Sequence, residues 1–354
     1  MAGLTLLALA GPRLLDGSED QPSELGVQFH SFQDSRNVTV QSPAIDLSRD
    51  FTDRTALRAR FGVDAISAAS DSCVRCHSHG TNSQRVYLGA SLVRKLADAR
   101  LSVGGEFSQE SFYRSTTILS SASRTFNKAN TTVAGGFSFS FNQPTLHPRS
   151  VSKSQTTENA FVSLTQTLSR FTVVQAGYEF GYVGGYQNDP FLRAVVNGEL
   201  LLGNNPDNRT RQTVTLRLRQ ALPAQLYLEA DYRHYFDSWS IHSNSLGAGL
   251  SRQLTPELLL HFGYRRYTQT GAFFYAPEYV GSPEFFTSDF RLEPFASNLW
   301  TGRSVFTPRR RMWFLPAGAG LTLQYDHYAS DAAFRAAIFS VGLKIPLGSH
   351  TASP

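Results

Sequence analysis

The sequence predicts an all-β protein, a transmembrane antiparallel β-barrel of about sixteen strands, with fourteen as the alternative count. Three observations predict it. The first is composition. Only 17% of the 354 residues are charged and 12% are aromatic, with Phe (26), Tyr (14) and Gly (27) abundant. A soluble helical enzyme would carry more Leu, Ala, Glu and Lys. The second is the lack of any apolar run of about 18 residues, which excludes a helical span. Mean hydropathy is −0.24, as expected where the apolar band occupies only alternate positions. The third is period-two alternation that recurs from about residue 24 to the end.

That alternation defines the strands. In LYLEADYRHYF (226–236), Leu226, Leu228, Ala230, Tyr232 and Phe236 share one face, and Tyr227, Glu229, Asp231, Arg233 and Tyr235 share the other. Side chains alternate across a strand, so one face is greasy and the other charged. TALRARFGVDA (55–65), VVQAGYEFGY (173–182) and LLLHFGYRRY (258–267) repeat the pattern. Strand starts are expected near 24, 38, 55, 85, 100, 113, 130, 158, 172, 210, 225, 244, 257, 298, 319 and 336. The weakest segments are 113–126, which alternates poorly, and 298–307. Strands of about nine to eleven residues match a tilted bilayer crossing. Tyr and Phe crowd the strand ends like an interfacial girdle.

Connections are expected to alternate between short and long. Short links fall at 48–54, 94–99, 126–130, 168–172, 221–225 and 254–257, and long ones at 67–84, 142–157, 183–209 and 269–297. In outer-membrane barrels short turns face the periplasm and long loops face outside. The expected organisation is a signal remnant or flexible N-terminus over 1–23, one barrel over 24–347 and a tail over 348–354. Gly3 to Ala10 is apolar and ends in Ala8-Leu9-Ala10, a small-x-small site, but the basic n-region of a secretion signal is missing.

Net charge is +5 and the basic residues are scattered. No basic helix or long Lys/Arg block tracks phosphates, Arg309-Arg310-Arg311 being the nearest, so no nucleic-acid partner is expected. The inward positions carry both signs. Arg58, Arg60, Arg217, Arg219, Arg233, Arg265 and Lys344 are matched by Asp64, Glu106, Glu179, Glu229, Asp231 and Asp326. Two readings stay open: a charged lumen that filters solutes, or a paired network that neutralises inward charge. A barrel near sixteen strands leaves an aqueous channel unless loops fold in, and 183–209 and 269–297 are the candidate constrictions. His234 and His261 lie on strands as structural residues, and PAGAGL (316–321) lacks the strand–helix context of a phosphate loop. No Ser/His/Asp set or carboxylate pair is placed by a motif, so catalysis is not the expected role.

Several stretches resemble a family of Gram-negative outer-membrane proteins that is itself a domain of unknown function. They are VTVQSPAIDL (38–47), VDAISAAS (63–70), FSQESFYRS (107–115), GGYQNDPF (184–191) and TSDFRLEPF (287–295). The resemblance runs from about 25 to 347. It implies an outer-membrane barrel in contact with lipid and little about activity. It does not explain the segment that follows VDAISAAS.

That segment, DSCVRCHSHG (71–80), holds both cysteines of the chain. C-x-x-C-H is the attachment pattern of c-type haem. Cys73 and Cys76 would add across the vinyl groups, and His77 would reach the iron from the proximal side. A distal ligand could come from His147 or His242; His79, two residues from His77, is expected to point elsewhere. The leading expectation is therefore one covalent haem c on an outward loop, with surface electron exchange to partner cytochromes. The surroundings are polar and unlike a cytochrome, so two alternatives remain. Cys73 and Cys76 could close a loop disulfide, or join His77 and His79 as a metal clip. In either case the protein would be a porin-like channel or transport component. A third reading is a structural anchor for surface assembly.

Overall fold

The computed structural model describes residues 23–68, 82–146, 151–189, 192–312 and 315–347. The strands in chain order are β1 (Glu24–Asp34), β2 (Val38–Thr52), β3 (Thr55–Ala68), β4 (Asn82–Lys95), β5 (Ala99–Glu110), β6 (Tyr113–Phe126), β7 (Thr131–Leu146), β8 (Val151–Ser152), β9 (Gln155–Ser169), β10 (Thr172–Gly185), β11 (Arg193–Val196), β12 (Glu199–Leu202), β13 (Asn208–Leu222), β14 (Leu226–Asp237), β15 (His242–Thr255), β16 (Leu258–Gln269), β17 (Phe295–Phe306), β18 (Gly320–Ser330) and β19 (Arg335–Pro346). Sixteen of them form a closed antiparallel barrel. The short strands β8, β11 and β12 lie within connections.

Closure is made by β1 against β19, from Glu24↔Pro346 to Asp34↔Ala336. A closed ring leaves no edge, so strand backbone groups are bonded around the cylinder, which lipid requires. The usual distribution of apolar residues is inverted. Ile45, Phe61, Leu88 and Phe107 are exposed large hydrophobics, and they face one another in register from β2 to β5. Their neighbours at alternate positions point inward and are polar or small. On β14 the outward series Leu226, Leu228, Ala230, Tyr232 and Phe236 opposes an inward series that contains Glu229, Asp231 and Arg233, as the alternation requires.

The sixteen expected starts all have an observed counterpart; the largest offsets, near 85, 158 and 298 against Asn82, Gln155 and Phe295, are three residues each. The weakly alternating segment 113–126 is a full strand, β6. Its inward face carries no charge, being Ser and Thr with Tyr113 and the buried Leu119, which blurs the sequence pattern. Its register with β5 and β7 is unbroken.

Two expectations are corrected. The barrel strands run from 11 residues in β1 to 16 in β7, longer than a bare crossing. Nor do short and long links alternate strictly. The end that carries the long connections also has tight turns at 35–37, 111–112, 238–241 and 331–334. The opposite end has one long link, 307–319, among its tight turns. Both barrel termini, Glu24 and Pro346, sit at this second end, the periplasmic one.

Candidate functional site

The inner surface of the cylinder divides into unlike walls. On β2–β5 the inward groups interlock. Asp64 accepts a hydrogen bond from Arg85 Nε at 2.7 Å, and the side chains are only 6% and 17% exposed. Asp46 lies 3.3 Å from Arg60 and accepts from Gln28 at 2.9 Å. The guanidiniums of Arg60 and Arg85 lie 5.6 and 5.4 Å from the centre of the Tyr87 ring. Gly62 makes this packing possible: a Cβ there would stand 2.2 Å from the Tyr87 hydroxyl.

On the facing wall, β10 and β13–β16, the inward charges stand in open space. Arg219 and Glu229 are 3.4 Å apart with side chains 70% and 46% exposed. Arg233 and Glu179 are 3.9 Å apart at 49% and 59%. Arg265 and Asp231 are 3.7 Å apart. Among the described residues Arg217 reaches only Gln175, at 3.5 Å. Such exposure on the inner face of a closed barrel means that the lumen along this wall is open to water. Pairs this loose in water are each worth little. Around β6–β9 the inner wall is uncharged: Thr117 bonds Ser140 at 2.8 Å and Ser115 bonds Asn142 at 2.7 Å.

The β10–β13 and β16–β17 connections meet at the extracellular mouth. β11 and β12 form a hairpin in the β10–β13 connection. Val196 bridges to Tyr279 and Asn204 to Phe286, which ties that hairpin to the 270–294 connection. Tyr279 organises the latter: its hydroxyl accepts from the N–H of Ala276 (3.0 Å) and Thr287 (2.9 Å) and donates to the Phe274 carbonyl (2.8 Å). Trp239, Ile241, Ala272, Phe274 and Leu292 form an apolar cluster beneath, packed on inward-facing Tyr235. Gln269, also inward, donates to the carbonyls of Arg291 (3.0 Å) and Glu293 (2.6 Å). The connection is therefore folded toward the lumen.

Adjacent residues of this strap contact loops rooted on opposite sides of the cylinder. Arg291 binds Asp289 and, at 3.1 Å, Asp189 of the β10–β13 connection. Phe290 lies under the guanidinium of Arg36, 4.4 Å away, in the β1–β2 turn. β1 and β10 are eight places apart around the sixteen-strand ring. The strap thus spans the mouth. Burial pulls the Arg291 guanidinium toward neutrality, but Asp289 and Asp189 outweigh it and hold its pKa above the usual value. Burial, reinforced by Asp189, also pushes the Tyr186 phenol up. Gly185, at φ +95°, turns the chain into this connection where a Cβ would stand 2.4 Å from the Ser154 carbonyl.

The inward charges expected from the sequence are all inward. Asp326 accepts from Thr301 and Gln324, and Lys344 binds Glu24 at 2.9 Å. His261 bonds Ser251 at 2.9 Å. His242 is exposed on the outer face of β15 and stacks on Phe236 at 6.4 Å. Cys73, Cys76, His77 and His79, with His147, lie outside the described residues. Sequence reasoning missed Arg85, Arg209 and the Arg291–Asp189 contact. The last joins GGYQNDPF to TSDFRLEPF, residues 102 positions apart, and no local pattern announces it.

Comparison with solved structures finds barrels of the same kind. OccD3 (OpdP) of Pseudomonas aeruginosa is 8% identical, with a TM-score of 0.50 over 93% of this chain and 92% of that one. OpdK of the same organism, solved with vanillate, is 9% identical, with a TM-score of 0.48 over 93% and 98%. A BenF-like porin from Pseudomonas fluorescens Pf-5 is 10% identical, with a TM-score of 0.47 over 93% and 99%. At such identity the likeness concerns the fold: a barrel of the outer membrane. No curated protein matches the sequence. A family profile described as protein of unknown function (DUF3570) matches residues 75–151 and 140–299. The match spans more than half of the chain, which therefore belongs to the DUF3570 family of outer-membrane β-barrel proteins.

Proposed function

We propose that the protein is a passive channel for small charged solutes, weakly selective for anions. One observation carries the reading: the inward charges of β10 and β13–β16 are open to water, up to 70% for Arg219. A structural network would bury them, as β2–β5 does. Along the open wall Arg217, Arg219, Arg233 and Arg265 face Glu179, Glu229 and Asp231, an excess of positive charge. Low-dielectric walls lined with charge concentrate counter-ions. The strap across the mouth sets an upper size for what enters. The channel reading draws on none of the haem chemistry of Cys73, Cys76 and His77, so it takes precedence over surface electron exchange.

The test is conductance and reversal potential in planar bilayers under a KCl gradient. Single-channel steps with chloride more permeant than potassium are expected. Arg217→Glu is expected to bring the permeability ratio below one, because it adds a carboxylate to a group of loosely screened charges. A barrel that passes no current with wild-type sequence ends the proposal.

A further inference from the structure

The two rims of the lipid-facing surface differ in chemistry. Toward the extracellular rim three outward tyrosines end in neutral hydrogen bonds. Tyr178 donates to Gln212, Tyr232 to Asn244 and Tyr264 to Asn298, each at 2.7 Å across neighbouring strands. The outward cations there include Arg114 and Arg266, and Glu158 shares that face.

The periplasmic rim carries a band of cations. Arg49, Arg94, Arg124 and Arg252 are exposed and alternate with outward apolar residues. Arg49 precedes Phe51, which is 61% exposed. Arg94 lies between Leu92 and Leu96, and Arg252 between Leu250 and Leu254, all exposed. Arg124 covers the Phe126 ring at 5.2 Å, and Arg170 covers Phe171 at 4.5 Å. The Arg309–Arg311 run adds three exposed cations at the same end. Asp98 binds Arg124 at 2.8 Å, and Asp53 is the other exposed carboxylate of the adjoining turns. Among the described residues, Arg49, Arg170 and Arg252 have no ion-pair partner.

We propose that this band binds the phosphodiester headgroups of anionic phospholipids in the inner leaflet. The stem of each arginine lies along the apolar rim while its guanidinium extends toward the headgroups. Stacking on Phe126 and Phe171 fixes two of them at the interface. A planar guanidinium grips phosphate oxygens bidentately, which an ammonium cannot. Charge complementarity selects an anionic lipid, and position selects the leaflet: these arginines share the end that bears the tight turns and both barrel termini. The proposal rests on the outer-membrane location and is independent of conduction.

The test reconstitutes the full chain in vesicles of phosphatidylethanolamine alone, with phosphatidylglycerol, or with lipid A. The readouts are the unfolding midpoint from heat-modified gel mobility and retained lipid by native mass spectrometry. The midpoint is expected to rise with phosphatidylglycerol and to lose that rise in about 1 M salt, where the screening length falls to ~3 Å. Each arginine removed is expected to lower phosphatidylglycerol retention about fivefold. Arg49→Gln/Arg94→Gln/Arg124→Gln/Arg252→Gln should abolish the response, and Arg114→Gln/Arg266→Gln at the other rim should keep it. Three results overturn the proposal: a wild-type midpoint indifferent to phosphatidylglycerol, a response to lipid A alone, or an unchanged response in the fourfold variant. Should that variant fail to fold, the wild-type salt dependence and lipid comparison still decide.

Discussion

The two charged walls of the lumen use the same residue types to opposite ends. On β2–β5, Asp64 and Arg85 sit within hydrogen-bonding distance and almost out of water. On β13–β14, Arg219 and Glu229 stand 3.4 Å apart and mostly in water. The difference lies in what surrounds them. Tyr87 occupies the space that Gly62 leaves, and it roofs Arg60 and Arg85. On the other wall Gly247 and Gly249 lie opposite Asp231 and Glu229; the His261 ring lies over Gly249, but among the described residues no aromatic ring stacks on Arg217, Arg219, Arg233 or Arg265. Sign and spacing of charge therefore do not distinguish a structural network from a solute-facing wall; the packing of neighbours does.

Removing one charge from each wall gives the largest contrast. Asp64→Ala leaves the Arg85 guanidinium uncompensated where little water reaches it. A loss of about 3 kcal/mol is expected, read as a lower midpoint in heat-modified gel mobility. Glu229→Gln breaks an exposed pair and should cost less than about 0.5 kcal/mol, with its effect appearing in ion selectivity instead. Equal destabilisation by the two would erase the distinction between the walls.

Glycine substitutions sharpen the same contrast at smaller magnitude. In Gly62→Ala the new methyl meets the packed Tyr87 ring, and about 2 kcal/mol is expected from overpacking. In Gly247→Ala the nearest obstacle, at 2.3 Å, is the end of the Asp231 side chain. That carboxylate faces open lumen and can turn away, so a near-neutral midpoint is expected from the same measurement.

The fold was legible because alternation survives in nearly every strand that faces lipid on one side and water on the other, β6 being the weak case. Phe262 and Tyr264 against His261 and Arg265 are enough to set the phase of β16. The inward charges followed from that phase. Their pairing did not, since Arg233 with Glu179 and Arg265 with Asp231 are cross-strand contacts whose distances depend on register and side-chain packing. The mouth was less legible still. The sequence marked 183–209 and 269–297 as long connections, but the strap depends on Arg291 meeting Asp189 and Phe290 meeting Arg36. Those contacts exist only once the ring has closed.

The cysteine pair supplies the smallest expected effect and the sharpest check on where transport occurs. Cys73 and Cys76 fall between β3 and β4 in the chain, and those two strands belong to the packed wall, across the ring from the strands that carry Arg217 and Arg233. If solutes travel along the exposed wall, Cys73→Ser/Cys76→Ser should leave single-channel conductance and the permeability ratio unchanged. Lost conductance would move the transport path to the other side of the lumen. Intact mass and haem staining of the exported protein, made alongside cytochrome-maturation machinery, read the same pair independently. The channel reading expects no haem increment. A covalent haem with conductance intact would add electron exchange as a second activity, because the chemistry of Cys73, Cys76 and His77 and the conduction along Arg217 would then be separate properties of one barrel.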